Sequence, residues 1–260
     1  MNSASTTEQP PSSTRRAKPM PDWTLVTGAS GAIGSAAAER LAASGRPLLL
    51  HYYQGKENAE QTAMRCRQNG QQAELVYGDL ATEAGQEAFT ARLPQNIDTF
   101  IHAAGMEEYI LFQETTYAHR NSIIQTNAMS ALAVSRALLP EMIRARQGTI
   151  VFVSSVWARE GAAMESTYAA AKGMIEAFTR SLAKETGPSG VRVNAVAPGA
   201  VASPMLGHLS EEERQDVAGR VSLGRIGTPG EVAGTVAFLC SPDAAYVHGE
   251  VLRVDGLFPS

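Results

Sequence analysis

The sequence predicts an α/β fold with a doubly wound parallel sheet of about seven strands and helices on both faces. Seven short runs are rich in Val, Ile and Leu and lack apolar–polar alternation, which is typical of strands covered on both faces. Helix-length segments with apolar residues at three- and four-residue spacing lie between these runs. Because strands and helices alternate through the chain without an internal linker, we expect one domain over residues 22–260.

The individual elements follow from these two patterns in chain order. We expect the strands at Thr24–Thr27, Leu48–Tyr52, Ala73–Tyr77, Ile97–His102, Thr149–Ser154, Val191–Ala197 and Glu250–Val254. The clearest helices are predicted at Ala32–Ser44, Ser122–Arg146, Thr167–Thr186 and Pro229–Leu239. Residues 1–21 are rich in Ser, Thr and Pro, and no apolar segment of a signal peptide follows them. We therefore expect a disordered leader and a cytoplasmic protein.

Composition restricts the class of protein and of partner. Apolar residues make up 44% of the 260-residue chain, which is enough for a buried core and excludes a disordered chain. The net charge of −4, without a basic cluster, argues against a nucleic-acid partner. No apolar run reaches the roughly 20 residues of a membrane span, so we expect no membrane partner. Cys66 and Cys240 lie far apart without metal-ligand spacing, so we expect two reduced thiols and no metal site.

A glycine-rich turn follows the first strand and leads into the first helix. It consists of Thr27-Gly28-Ala29-Ser30-Gly31-Ala32-Ile33-Gly34. Small residues let the backbone approach a pyrophosphate, and the helix N-terminus supplies N–H donors and a positive dipole end. This strand–turn–helix setting predicts the dinucleotide-binding turn of a Rossmann fold, although a purely structural loop would have the same composition.

The end of the second strand bears on which dinucleotide is bound. The segment Leu48–Lys56 contains no carboxylate, whereas NAD-binding domains usually place Asp or Glu there on the ribose 2′-hydroxyl. We therefore expect NADP(H). The side chains available to its 2′-phosphate are His51, Tyr52, Tyr53 and Lys56. The alternative is that the two tyrosines only cap the adenine pocket.

Tyr168 and Lys172 lie four residues apart in a predicted helix and so share one face. A neighbouring ammonium favours phenolate, so we expect Lys172 to lower the pKa of Tyr168 from its usual value of about 10. That change suits proton transfer. Ser155 ends a buried strand, at the edge of the sheet where ligands bind. Alone, each feature also fits a solvated helix face or a turn cap.

Several stretches occur together in the order typical of one enzyme family. They are TGASGAIG, Gly78-Asp79-Leu80, His102–Gly105, Asn127, Ser155, Tyr168 with Lys172, Arg192-Val193-Asn194 and Pro198-Gly199. Along nearly all of residues 23–260 the chain resembles the short-chain dehydrogenases/reductases. The resemblance implies a Rossmann-fold oxidoreductase that transfers hydride between NADP(H) and a carbonyl or alcohol group.

The resemblance also implies roles for the matching positions. Tyr168 would protonate the carbonyl oxygen, and Ser155 would polarise it. Lys172 would lower the tyrosine pKa and bind the nicotinamide ribose, and Asn127 would hold a water that links Lys172 to solvent. The implied cofactor contacts, besides Tyr168 and Lys172, are Gly28, Ser30, Gly31, Ile33, Gly34, Tyr52, Tyr53, Asp79, Leu80, Ala103, Ala104, Gly105, Pro198, Gly199, Val201 and Ser203.

Within that family the chain looks most like 3-oxoacyl-acyl-carrier-protein reductases, through the stretches YAAAKGMIEAFTRSLAKE and GVRVNAVAPGAV. This likeness implies a small or carrier-bound ketone substrate and a place in fatty acid biosynthesis. Arg146 matches one of the two arginines that dock the carrier, but Ser189 occupies the position of the other. The family's turn after the fourth strand usually begins Asn-Asn, and His102-Ala103 there predicts a looser turn.

Two alternatives remain open. The stretch SSVWAREGAAMESTYAAAKG and the sequence HYYQ at the second strand resemble reductases of the 5-aminopentanone modification on elongation factor P. A dinucleotide-sensing protein without turnover is the alternative from another class, because fold does not fix function. Such a sensor has no need of Tyr168 as a proton donor.

The two long predicted helices carry apolar residues on more than one face, which indicates an interface. These residues are Leu132, Val134, Leu138, Leu139, Met174, Ile175, Phe178 and Leu182. In the resembled family the same helices pair subunits, so we expect a homotetramer. The alternative is that a large core requires wide apolar stripes.

Overall fold

A computed structural model describes residues 22–107, 109–207 and 209–258. Within these ranges the strands β1 to β7 span Trp23–Thr27, Leu48–Tyr52, Ala73–Tyr77, Ile97–His102, Gly148–Val153, Val191–Pro198 and Val251–Val254. They form one parallel sheet in the order β3-β2-β1-β4-β5-β6-β7. The predicted α/β fold with a parallel sheet of about seven strands is therefore confirmed. The leader predicted at residues 1–21 lies outside the described ranges.

Helices cover both faces of the sheet. In the same ranges α1 to α9 span Ala32–Ala43, Lys56–Gln68, Glu83–Thr90, Tyr117–Ile124, Ser130–Ala145, Trp157–Glu160, Ser166–Thr186, Glu211–Arg220 and Pro229–Cys240. Alternate residues of β5 belong to the two layers of the core. Ile150 and Phe152 pack in the layer of α5 and α7, whereas Val151 and Val153 pack in the layer of α1 and α9. This double coverage explains why the strands lack polar alternation.

The strand order reverses at β1 and β4, which are neighbours in the sheet although two strands separate them in the chain. Connections that leave the carboxyl ends of these two strands diverge and open a crevice. The glycine-rich turn after β1 and the turn Ala103–Gly105 after β4 border this crevice. Ser155 after β5, and Pro198 and Gly199 at the end of β6, lie along the same edge.

The long helix predicted at Ser122–Arg146 is interrupted. α4 ends at Ile124, a wider π-helical turn spans Gln125–Met129, and α5 continues to Ala145. Arg146 then adopts a left-handed conformation, with a φ of 53°, and ends the helix. A single wide turn hardly changes the apolar spacing, so sequence periodicity does not reveal it.

Periodicity also does not predict α2 and α8, because both are mostly polar. α8 buries none of its residues and begins with a capping box in which Ser210 and Glu213 bond each other's backbone N–H. Cys66 and Cys240 are buried free thiols. In the described ranges no helix combines the length and the apolar character needed to cross a bilayer.

Candidate active site

The backbone of the glycine-rich turn between β1 and α1 packs closely against the backbone of the turn after β4 and against itself. Gly28 has a left-handed φ of 69°, and a Cβ there would lie 2.6 Å from the carbonyl oxygen of Ala103. A Cβ at Gly34 would lie 2.2 Å from the carbonyl oxygen of Gly28, so only glycine fits at both positions. Ala32 is the first residue of α1. Residues Gly31–Gly34 line the crevice.

One cavity of about 430 Å³ brings together the four predicted catalytic residues. Ser155 follows β5, and Tyr168 and Lys172 lie one turn apart near the start of α7. Asn127 lies in the π-helical turn before α5. Because the same cavity reaches the glycine-rich turn, the acid–base groups and the candidate dinucleotide site share one space.

Ser155 contacts both the backbone and the tyrosine. Its Oγ accepts a hydrogen bond from the Trp157 N–H at 3.2 Å, in the turn that leads into the short helix α6. Its hydroxyl is also hydrogen-bonded to Tyr168. The turn cap that was the alternative for this serine is therefore present together with the contact to the tyrosine. A substrate carbonyl oxygen placed beside both hydroxyls can accept a hydrogen bond from each.

Lys172 is buried and fixed by the end of β5. Its Nζ donates to the Val153 carbonyl oxygen at 2.9 Å and lies 5.5 Å from the centroid of the Tyr168 ring. Burial lowers the pKa of Lys172 to about 8, because the ammonium loses its solvation. The lysine is thus a cation below that pH and is held next to the tyrosine.

The pKa of Tyr168 moves in the direction opposite to our expectation. Burial of the phenol raises its pKa to about 12, the hydrogen bond with Ser155 opposes this, and the charges of Glu165 and Glu107 raise it further. The prediction that Lys172 depresses this pKa is wrong for this structure, because burial dominates the shift and Lys172, with a pKa of about 8, has lost its charge before the phenol ionises. Tyr168 is therefore a neutral phenol at neutral pH, which is the form that donates a proton.

Asn127 is buried, and its Nδ2 donates to the carbonyl oxygens of Met106 at 2.9 Å and Ile123 at 3.0 Å. These bonds direct Oδ1 toward Gly105. A Cβ at that glycine would lie 2.7 Å from Oδ1 and 3.6 Å from the Nζ of Lys172. Oδ1 has no hydrogen-bond partner among the described residues. A buried oxygen without a partner can accept a hydrogen bond from a water or a ligand, which would lie next to Lys172.

The predicted cofactor contacts divide into two groups. Those that line the cavity, besides Tyr168 and Lys172, are Gly31, Ile33, Gly34, Ala103, Gly105, Pro198, Gly199, Val201 and Ser203. Those outside its lining are Gly28, Ser30, Tyr52, Tyr53, Asp79, Leu80 and Ala104. Leu80 and Ala104 are buried, and the Asp79 carboxylate accepts the Ala81 N–H at 2.9 Å. Contact of either group with a cofactor stays a prediction.

His51 is not available to a 2′-phosphate, contrary to our expectation. It is buried, its Nδ1 accepts the Gly28 N–H at 3.1 Å, and its Nε2 lies 3.1 Å from the Gly78 carbonyl oxygen. Burial lowers the pKa of His51 to about 4. This histidine is therefore a neutral side chain inside the fold, and it supports the glycine-rich turn from its place on β2.

His102 fixes the turn after β4, where the sequence predicted a looser turn. Its Nδ1 lies 2.9 Å from Thr27 Oγ1, and its Nε2 lies 3.4 Å from Ser130 Oγ. Burial lowers the pKa of His102 to about 3, so the ring is neutral. The Ala104 N–H also donates to Thr27 Oγ1 at 3.4 Å. The looser turn stays a prediction, and these hydrogen bonds of the histidine oppose it.

Sequence reasoning missed several residues that line the substrate end of the cavity. They are Glu107, Tyr109, Glu165, Val217 and Phe258. Glu107 and Glu165 lie on two loops that are joined by a hydrogen bond from the Ile110 N–H to the Met164 carbonyl oxygen at 2.9 Å. No local motif marks such loops. The position of Glu165, three residues before Tyr168, was the one signal available in the sequence.

Comparisons with known proteins cover nearly the whole chain. The family described as enoyl-(acyl carrier protein) reductase matches residues 28–256. YmfI of Bacillus subtilis, an uncharacterized oxidoreductase, is 40% identical over 89% of this chain and 96% of its own length. FabG of Vibrio cholerae, a 3-oxoacyl-[acyl-carrier-protein] reductase, is 38% identical over 89% of this chain and 95% of its own length. This chain belongs to the short-chain dehydrogenase/reductase family.

Solved structures share the architecture. A crystal structure of an actinorhodin polyketide ketoreductase variant with NADPH has a TM-score of 0.84 at 29% identity, over 92% of this chain and 97% of that one. Acetoin dehydrogenase YohF of Salmonella typhimurium has a TM-score of 0.81 at 30% identity, over 92% and 96%. As a short-chain dehydrogenase/reductase, the chain is an oxidoreductase that acts on alcohol or ketone groups.

Proposed function

We propose that this short-chain dehydrogenase/reductase is an NADPH-dependent reductase that converts a ketone to a secondary alcohol. The observation that carries the proposal is the hydrogen-bonded pair of Ser155 and Tyr168 beside the Lys172 ammonium, in a cavity that extends to the glycine-rich turn. A protein that only senses a dinucleotide would have no use for a positioned proton donor.

The residues present fit a nicotinamide dinucleotide. The first turn of α1 offers N–H groups without intrahelical partners to a pyrophosphate, next to a turn that excludes any Cβ at Gly28 or Gly34. Gly105 likewise has no room for a side chain beside Asn127. From the turn toward the tyrosine the cavity is lined by Ala103, Pro198, Gly199 and Val201. When it is bound, the reduced nicotinamide supplies the hydride.

Tyr168 is placed to give its proton to the substrate oxygen. A pKa of about 12 keeps the phenol protonated until the carbonyl oxygen has gained enough negative charge to take the proton. Ser155 provides a second hydrogen bond, which stabilises the charge that develops on that oxygen. Lys172 Nζ and Asn127 Oδ1 both lie next to Gly105, where an ordered water would return a proton toward the tyrosine.

NADPH rather than NADH is favoured by the end of β2. Tyr52 and Tyr53 pack against Tyr77, with ring centroids 5.8 and 6.0 Å apart, and no carboxylate occurs from β2 to Lys56. Lys56 is exposed, with its Nζ 3.7 Å from Glu60. A 2′-phosphate bound near the end of β2 would therefore have the Lys56 ammonium as a neighbour. An acidic residue at the end of β2 would repel the phosphate, and this strand end has none.

The test is a titration of the protein with each cofactor, followed by an assay of cofactor oxidation with a panel of ketones that includes acetoacetyl thioesters. The proposal predicts turnover with NADPH and binding of NADH at least about tenfold weaker, a difference of about 1.4 kcal/mol. Equal affinity for the two cofactors would contradict the preference for NADPH. Tight binding without turnover of any ketone would instead support the dinucleotide-sensing alternative.

A 3-oxoacyl thioester is the first candidate substrate. The apolar end of the cavity is formed by Val156, Trp157, Leu206, Leu209, Val217 and Phe258. The rings of Trp157 and Phe258 contact each other edge to face, with centroids 5.6 Å apart. Such a surface buries an aliphatic acyl chain. The several FabG relatives named as 3-oxoacyl-[acyl-carrier-protein] reductases support this candidate.

Two carboxylates in the same cavity favour a second candidate, a ketone that carries an amine, as in the 5-aminopentanone group on elongation factor P. Among the described residues that line the cavity, the charged side chains are Glu107, Glu165 and Lys172. Lys172 is proposed to bind the cofactor, so the charge at the substrate end comes from Glu107 and Glu165. This negative charge attracts an ammonium. Docking of an acyl carrier by the resembled reductases uses two arginines. Arg146 matches one of them, but Ser189 occupies the position of the other.

Two ketones of nearly equal shape separate the two candidates. 5-(Trimethylammonio)pentan-2-one carries a cation, and 6,6-dimethylheptan-2-one is its neutral isostere. The second candidate predicts a kcat/KM about tenfold higher for the cation, and loss of that preference in Glu165→Gln without a lower rate on the neutral ketone. Glu185→Gln, which removes an exposed carboxylate at the far end of α7, is the matched control. Preference of the wild-type protein for the neutral ketone would leave the 3-oxoacyl thioester as the substrate.

A further inference from the structure

Two buried histidines flank the glycine-rich turn, and the first of them is His51 on β2. Its Nδ1 accepts the Gly28 N–H at 3.1 Å, and its carbonyl oxygen accepts the Ala29 N–H at 3.0 Å. Its Nε2 lies 3.1 Å from the Gly78 carbonyl oxygen. One residue therefore holds two consecutive amides of the turn. These two amides are not free for a pyrophosphate, which leaves that role to the amides at the start of α1.

The second histidine, His102 at the end of β4, holds the same turn from the other neighbouring strand. Its Nδ1 lies 2.9 Å from the Oγ1 of Thr27, the residue before Gly28. Its Nε2 lies 3.4 Å from Ser130 Oγ, and the Ser130 hydroxyl donates to the Thr126 carbonyl oxygen at 2.8 Å. The contact thus links the glycine-rich turn to the π-helical turn that carries the catalytic asparagine.

The partners determine which nitrogen of each ring carries the proton. The Gly28 N–H can only donate and the Gly78 carbonyl can only accept, so His51 is protonated on Nε2 alone. Because the Ser130 hydroxyl uses its proton on a carbonyl oxygen, its Oγ accepts from Nε2 of His102. The Thr27 hydroxyl lies 3.5 Å from the Ile101 carbonyl oxygen but 2.9 Å from Nδ1 of His102, so it donates to the nearer Nδ1. Both rings are therefore Nε2–H tautomers, and their burial favours the neutral over the charged ring.

We propose that His51 and His102 are positioning residues for dinucleotide binding, and that as neutral imidazoles they hold Thr27, Gly28 and Ala29 in the shape that lets the pyrophosphate reach the start of α1. The inference rests on the proposed binding of a dinucleotide at this turn. Protonation of His51 would set two N–H donors against each other, so the turn would lose its support. A purely structural role would lower the melting temperature but leave the cofactor affinity of the folded protein unchanged.

The test compares His51→Leu, which removes both side-chain hydrogen bonds, with His51→Gln, which keeps an acceptor and a donor. His51→Leu is expected to raise the Kd for NADPH about tenfold, and His51→Gln to restore it to within about threefold of wild type. The kcat at saturating NADPH should stay within about threefold in both variants. Thr186→Val, which removes a buried hydroxyl near the start of β6, is the control for lost stability alone. A folded His51→Leu variant with wild-type Kd would overturn the proposal.

The same comparison applies to His102, with His102→Leu and His102→Asn. Nitrogen chemical shifts of the imidazoles in the wild-type protein provide a measurement that needs no variant to fold. At a pH of about 5.5, where an ordinary histidine is mostly charged, both rings should remain neutral Nε2–H tautomers. A charged ring, or an Nδ1–H tautomer of His51, would overturn the proposal. Failure of NADPH to bind the wild-type protein would refute the proposed function and leave the tautomer result standing.

Discussion

At the scale of single residues, the hydroxyl group of Tyr168 is the proposed proton donor. Tyr168→Phe is expected to lower kcat at least about 10²-fold, because general acid catalysis contributes about 10²–10⁴-fold. The Kd for NADPH should change less than about twofold, since Lys172 remains fixed by Val153. Tyr117→Phe, an exposed position on α4 outside the cavity, is the control and should keep its full rate. A Tyr168→Phe variant with most of the wild-type rate would show that another group delivers the proton.

The pKa of Lys172 sets an alkaline limit on cofactor binding. Burial lowers that pKa to about 8, so the ammonium that would bind the ribose is lost as the pH rises past this value. We expect kcat/KM for NADPH to fall about tenfold per pH unit above about pH 8, because kcat/KM reports the titration of the free enzyme. Lys172→Met should have a lower kcat/KM that shows no break near this pH. A wild-type profile without a break between about pH 7 and 10 would contradict the assignment.

Residues that depend on local spacing could be predicted, and those that depend on distant loops could not. Tyr168 and Lys172 share a face because four residues make about one helical turn. Ser155 follows a strand whose end is visible in the sequence. The pKa of Tyr168 was predicted in the wrong direction, because spacing reveals a neighbouring charge and not the loss of solvent. Glu107 escaped notice because its loop meets α7 only in the folded chain.

At the scale of elements, the predicted strands agree with the structure to within one residue at each end. Buried parallel strands are continuous apolar runs in the sequence, so a strand ends where polar residues follow the run. The polar helices α2 and α8 and the π-helical turn Gln125–Met129 were not predicted. Apolar periodicity reveals helices that bury a wide apolar face. The two polar helices bury few large apolar side chains, and the π-helical turn shifts the helical period by a single residue.

The junction of the glycine-rich turn with α1 provides a test at this scale. A Cβ at Gly34 would lie 2.2 Å from the Gly28 carbonyl oxygen, so Gly34→Ala must displace the backbone. We expect a free energy of unfolding lower by about 1–3 kcal/mol, together with weaker NADPH binding. Gly219→Ala is the matched control, because that glycine lies in α8 with no atom near its Cβ position. It should stabilise the protein by about 0.5–1 kcal/mol. Equal effects of the two substitutions in denaturant titrations would contradict the close packing of the turn.

At the scale of the whole molecule, alternating strands and helices predict the sheet because right-handed crossovers leave few topologies. The reversal of strand order between β1 and β4 then places the ends of β1, β4, β5 and β6 around one crevice. The identity of the substrate does not follow from the fold. It depends on a few side chains at the open end of the cavity, such as Trp157 and Glu165, and the fold does not dictate these.

The surfaces of α5 and α7 bear on assembly. Of the eight apolar residues that predicted an interface, half are buried in the protein's own core, which the core-packing alternative explains. These are Val134, Leu138, Ile175 and Leu182. The other half are only partly buried and are Leu132, Leu139, Met174 and Phe178. Ile143, at the end of α5, is 42% exposed. An apolar surface therefore remains on these two helices after the core is complete.

A homotetramer is the assembly that we expect this surface to form. Burial of the partly exposed side chains of α5 and α7 against a second copy would remove apolar area from water, which stabilises association. Light scattering at micromolar concentration should give four times the chain mass of 27.6 kDa. The double substitution of Leu132→Glu and Met174→Glu should reduce that mass, because a carboxylate buried in an apolar interface loses its solvation. Met64→Glu, at an exposed apolar position on α2, should leave the mass unchanged. A monomeric wild-type protein at this concentration would refute the prediction.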